Sequence, residues 1–76
     1  MFQITHRRKK CIGCHGCVEA APDRWAMSAA DGKAVLLHGE LNRRGESVIL
    51  VHELEWEANE RAAEACPVNI IELRMR

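Results

Sequence analysis

The sequence predicts a small α+β domain with an antiparallel sheet, and three observations predict it. Both ends of the chain are strand-like: Phe2 to Arg7 alternates apolar and polar residues, and Val68 to Met75 is rich in apolar, β-branched residues. Two short apolar runs flank Asp31-Gly32, a strong turn signal. A helical pattern runs from His52 to Ala65, with Leu54, Ala58, Ala62 and Ala65 on one stripe.

The elements follow in order. The first strand leads into a loop over residues 8–17 that holds Gly13 and Gly16 between cysteines. Cys17 to Ala21 makes one helical turn, stopped by Pro22, because the residue before a proline is pushed out of helical geometry. Arg24 to Ser28 and Lys33 to Leu37 form a hairpin about Asp31-Gly32. Residues 38–46 are polar, carry two glycines and read as a loop. Ser47 to Val51 is β-branched and apolar, which suits either an extra strand or the lead-in to the helix. In that helix Glu57 and Arg61 sit four apart in the favourable order. Pro67 ends it at Cys66, and the last strand follows.

With 76 residues the chain is expected to be one domain, residues 1–76. A domain this small buries a modest core, and such folds are commonly reinforced by a metal or a cross-link. The apolar fraction of 47% is too high for disorder. The net charge is zero, which argues against general nucleic-acid binding. The charge is uneven, however. Residues 1–38 hold six Lys/Arg against three acids, and residues 39–76 hold five against eight. Such asymmetry can orient a molecule on a partner. No run approaches the roughly 18 apolar residues of a membrane span, and the first residues do not read as a signal peptide. A cytoplasmic location is the default expectation. In a reducing compartment four cysteines suit metal binding better than disulfides.

All four cysteines fit one site. Cys11, Cys14 and Cys17 are spaced C-x-x-C-x-x-C, and Cys66 precedes Pro67. A cubane iron–sulfur cluster needs four converging thiolates. A tight loop supplies three, and the helix-to-strand junction at Cys66 is placed to deliver the fourth. Gly13 and Gly16 would allow the loop backbone to approach closely, with N–H groups aimed at sulfur. Ile12, Val18, Val68 and Ile70 are the candidate water shield. Structural zinc is the main rival, with four thiolates or three plus His15. Zinc sites usually pair two C-x-x-C units, which this pattern fits poorly. A thiol–disulfide oxidoreductase would need a thioredoxin-like frame that is not visible.

The stretches Cys11-Ile-Gly-Cys-His-Gly-Cys-Val-Glu-Ala-Ala-Pro and Ala-Ala-Glu-Ala-Cys66-Pro-Val-Asn-Ile-Ile resemble the bacterial-type ferredoxins. In two-cluster members the run continues to a further Cys before a proline. Here that position is Ala21, before Pro22, and no cysteine separates Cys17 from Cys66. The chain is therefore similar to the single-cluster branch. The resemblance implies a ferredoxin-like βαββαβ fold with a small antiparallel sheet, paired terminal strands and a cluster-binding loop. It implies one 4Fe-4S cluster on Cys11, Cys14, Cys17 and Cys66, cycling between 2+ and 1+. The role implied is a small soluble electron carrier, a monomer and not itself an enzyme. Its partners would be redox proteins such as a reductase, a monooxygenase or a dehydrogenase, with no nucleic acid or membrane partner. Potentials of such clusters span roughly −700 to +450 mV, so the fold alone does not set the value. An iron–sulfur sensor using the same ligands is a further alternative.

The remaining polar residues have plainer expectations. His15 stands where the family often has a smaller residue and is expected to face solvent or neighbour the ligands. His6, His38 and His52 read as ordinary surface or loop histidines. Trp25 is expected to pack under the cluster loop, and Trp56 to fill volume where relatives hold a second cluster. The run Arg7-Arg8-Lys9-Lys10 is a solvated cluster that its position also suits to steering a redox partner. No catalytic constellation is visible.

Overall fold

The computed structural model describes residues 1–13 and 15–75. Strand β1, Phe2–His6, is the centre of the molecule. It pairs antiparallel with β5, Ser47–Val51, on one side and with β6, Ile71–Met75, on the other. The terminal strands are thus neighbours. A short β4, Glu40–Leu41, pairs with β5 and completes the sheet order β4-β5-β1-β6. A separate two-stranded ribbon joins β2, Trp25–Met27, to β3, Ala34–Leu36. Helix α1 spans Gly16–Ala20 and helix α2 spans Trp56–Ala65. This is the βαββαβ order with a second ribbon, β4–β5, added before α2.

Alternation explains how β1 works. Phe2, Ile4 and His6 are buried, while Gln3 and Thr5 are half-buried on the other face. The register sets Phe2 opposite Val51, Ile4 opposite Ile49 and Leu73, and His6 opposite Ile71. Residues directly opposite share a face, so these side chains make one wall. Trp25, Leu36, Ala62 and Ile70 close the core against it. Burying side chains of this size contributes about 1.5–3 kcal/mol each.

Three elements differ from the sequence reading. The stretch 38–46 is not all loop: Glu40 and Leu41 pair with Val48 and Ser47, and Asn42 closes the turn. Its N–H donates to the Glu46 carbonyl (2.8 Å), and its Oδ1 accepts from the N–H groups of Arg44 and Glu46 (both 2.9 Å). Being an exposed edge, this strand shows no apolar alternation. Of the two readings open for Ser47–Val51 the strand holds, since all five residues pair with β1. The last strand begins at Ile71; before it, the Asn69 N–H donates to the Cys66 carbonyl (3.2 Å), with Asn69 at φ +52°.

The third difference lies in α2. A 3-10 turn, Glu53–Glu55, precedes it. Its tighter winding takes Leu54 off the buried stripe, leaving it 88% exposed, and Ala65 is exposed too. The buried face is instead Asn59, Ala62 and Cys66, at helical spacing. Asn59 tolerates burial because its Oδ1 accepts from Trp25 Nε1 (2.8 Å) and its Nδ2 donates to the Glu55 carbonyl (2.8 Å). The expected Glu57–Arg61 pair forms on the outer face at 3.7 Å. Trp56 is half-buried and meets Phe2 edge to face, with ring centroids 4.9 Å apart.

Candidate metal centre

Three of the four cysteines lie among the described residues; Cys14 lies outside them. Each comes from a different element. Cys11 follows a 3-10 turn, Arg8–Lys10, and donates its N–H to the Arg8 carbonyl (3.1 Å). Cys17 is in the first turn of α1 and 6% exposed. Cys66 caps α2 and is 7% exposed, its N–H donating to the Ala63 carbonyl (3.3 Å). Cys11, Cys17 and Cys66 nevertheless line one pocket. No three His, Cys, Asp or Glu side chains among the described residues are grouped so as to hold a metal ion.

Two close approaches make the convergence possible. Gly13 has φ +73°, and a Cβ there would lie 2.4 Å from the Gly32 carbonyl oxygen. The cysteine loop therefore lies against the β2–β3 turn. A Cβ on Gly16 would lie 3.0 Å from the Ala65 Cβ, so α1 sits tightly on the end of α2. That contact brings Cys17 and Cys66 to the same cavity. The expected N–H···S geometry is present at one ligand: the Ala34 N–H, on β3, donates to Cys11 Sγ (3.4 Å). The hairpin thus serves the site directly, a role the sequence did not signal.

The rest of the lining departs from expectation. Ile70 is buried in the pocket wall and Ile12 lines it while 62% exposed, but Val18 and Val68 are not part of the lining. Ala34 and Ile71 take those places. Val68 falls in the exposed turn before β6 and faces away from the core. His15, at φ +69°, is exposed, as expected, and reaches the rim.

His6 corrects the sequence reading. It is not a surface residue: it ends β1 on the inward side, is 1% exposed and lines the same pocket. Its ring meets Trp25 edge to face at 4.9 Å. Burial, and then the positive charge of Arg8, lower its pKa from 6.5 to about 4, so the imidazole is neutral at pH 7. The strict alternation of β1 was the signal that could have placed it inside.

The basic run divides in two. Arg7 bonds Glu46 and Glu72 (both 3.2 Å), and Arg8 bonds Asp31 (2.8 Å). The Arg8 guanidinium, through its hydrogen bond, holds the Asp31 carboxyl below its usual range. Lys9 and Lys10 are exposed and make no ion pair among the described residues. Arg24 forms a two-pronged bond with Glu55 (2.9 Å each) and donates to the Leu37 carbonyl (3.1 Å), joining the ribbon to the start of α2. No helix among the described residues is long and apolar enough to cross a membrane.

Comparison with known proteins gives the class of protein in which these cysteines stand. The family described as the 4Fe-4S single cluster domain of Ferredoxin I matches residues 8–73, which include all four cysteines. The chain belongs to that family, whose members are small iron–sulfur electron carriers. Among solved structures it is similar to ferredoxin 1 of Hydrogenobacter thermophilus, with a TM-score of 0.74 at 16% identity, both chains covered in full. It is also similar to ferredoxin I of Desulfovibrio africanus, with a TM-score of 0.68 at 26% identity, again over both full chains. No curated protein matches the sequence.

Proposed function

We propose that Cys11, Cys14, Cys17 and Cys66 hold one 4Fe-4S cluster, and that the protein passes single electrons between redox partner proteins. The observation that carries this is the convergence of Cys11, Cys17 and Cys66, from three separate elements, on one pocket. When bound, the cluster supplies one-electron chemistry between its 2+ and 1+ states. The protein's own part is to hold, shield and tune. Ile70, Ile71 and Ala34 keep water from the inner side. The Ala34 N–H on Cys11 Sγ stabilises sulfur negative charge and so favours the reduced state. Ile12, exposed beside the pocket, marks the side on which a partner comes closest. Thiolate ligation favours a reducing compartment, so we read the chain as a cytoplasmic, monomeric, single-domain carrier that catalyses no reaction itself. Its partners would be a reductase or dehydrogenase as donor and an acceptor such as a monooxygenase.

The test is EPR on anaerobically prepared protein, with iron and sulfide measured on the same sample. The carrier reading expects silence as isolated and a signal near g ≈ 1.9–2.1 after dithionite, with about four irons and four sulfides per chain. Cys66→Ser should lose most of that cluster. One zinc and no sulfide would place the chain with structural zinc modules instead. Cluster breakdown under mild oxidant, coupled to a change in binding, would mark a sensor.

A further inference from the structure

One buried group has no part in the reading above. Nδ1 of His6 is buried and has no hydrogen-bond partner among the described residues. Buried polar side-chain atoms almost always find one. The ring is held in place: it packs edge to face on Trp25 at an interplanar angle of 89°, and Trp25 is itself tied to Asn59. The imidazole lines the same pocket as Cys11, Cys17 and Cys66. A neutral imidazole offers one donor and one acceptor nitrogen. The pocket's other lining is cysteine sulfur and aliphatic side chains apart from His15 at the rim, and the sulfurs of a bound cluster would be acceptors, so the tautomer with its proton on Nδ1 is the one that would find a partner there.

We propose that His6 donates its Nδ1–H to a sulfur of the iron–sulfur cluster and thereby raises the cluster's reduction potential. This rests on the cluster reading of the four cysteines. His6 ligates no iron; its N–H acts directly on sulfur and stabilises the more negative, reduced state more than the oxidised one. β1 fixes it there, because a one-residue slip in register would turn it out to solvent.

The experiment compares His6→Leu, which removes the donor but fills the space, with His6→Asn, whose amide N–H falls near the Nδ1 position. Iron and sulfide are measured first on every sample. At a fixed applied potential, His6→Leu should shift the reduced-to-oxidised ratio on the order of tenfold toward oxidised. For one electron that is 59 mV more negative. His6→Asn should recover most of the shift. Pulsed EPR on reduced, 15N-histidine-labelled protein should show one nitrogen coupling that survives His15→Ala. This second readout decides the matter even where His6→Leu does not fold. A sulfide-replete His6→Leu at the wild-type potential overturns the role of His6, as does a coupling that is absent or lost with His15→Ala. A wild-type chain that takes up no sulfide overturns the cluster reading itself, and this inference with it.

Discussion

Replacing Gly13 with alanine should damage the site far more than the same change at Gly32, and the pair isolates one steric contact. Both residues have left-handed backbones, φ +73° and +70°. Each alanine therefore carries a similar conformational cost, about 1–2 kcal/mol. The surroundings differ. A Cβ on Gly32 meets nothing within 4 Å, whereas one on Gly13 would lie 2.4 Å from the Gly32 carbonyl oxygen. That neighbour is backbone, so the cysteine loop or the hairpin turn must move. Forced overpacking of this kind costs about 1–3 kcal/mol. Gly32→Ala should then lose about 1–2 kcal/mol and Gly13→Ala about 2–5 kcal/mol. At about 4–8 °C per kcal/mol for a chain of this size, the two variants separate clearly in thermal melts. The assay follows circular dichroism and cluster absorbance together at equal iron and sulfide content. Gly13→Ala should also release iron faster to a chelator, because the displaced loop carries Cys11. Equal losses for the two variants would refute the argument that loop-to-hairpin contact holds the ligand set together.

Other outcomes follow from the same contacts. Asn59→Leu leaves the buried Trp25 Nε1 without its acceptor and should cost about 1–3 kcal/mol in chemical denaturation; an unchanged midpoint would show that the bond contributes nothing net. Removing the metal should leave the chain molten, with collapsed amide dispersion by NMR, since ligation and folding are coupled; native-like dispersion in the apo-protein contradicts this. Neutralising Lys9 and Lys10 together should slow oxidation of the reduced protein by an anionic oxidant, most strongly at low salt. Neutralising Arg7 and Arg8, whose charges are engaged by Glu46, Glu72 and Asp31, should show mainly as a loss of stability; a slower rate from both pairs alike would restore the whole run to a steering role.

How much of this was legible in the sequence depends on whether the signal was local. The two terminal strands, the hairpin turn at Asp31-Gly32 and the helix end at Cys66-Pro67 each rest on a few adjacent residues, and each stands in the structure. The cysteine spacing is local too, and the family match spans all of it. What escaped was set by contacts distant in sequence. Glu40–Leu41 becomes a strand only because β5 lies beside it. Leu54 leaves the helical stripe because a 3-10 turn winds three residues tighter than periodicity assumes. The Ala34 N–H reaches Cys11 Sγ across a fold in the chain.

His6 is the sharpest case, because the local pattern and residue chemistry point in opposite directions. Histidine composition alone says surface, whereas its place in the alternation of β1, two residues beyond Ile4 and four beyond Phe2, says core. The alternation governs, since β1 is buried on that face along its whole length and one register serves every residue in it. Nδ1 of His6 is left without a hydrogen-bond partner by every described neighbour, and it is this atom that the proposed cluster would complete. The reduction potential of His6→Leu relative to His6→Asn is the quantity that separates such a role from simple packing, because a packing defect has no reason to be relieved by an amide N–H.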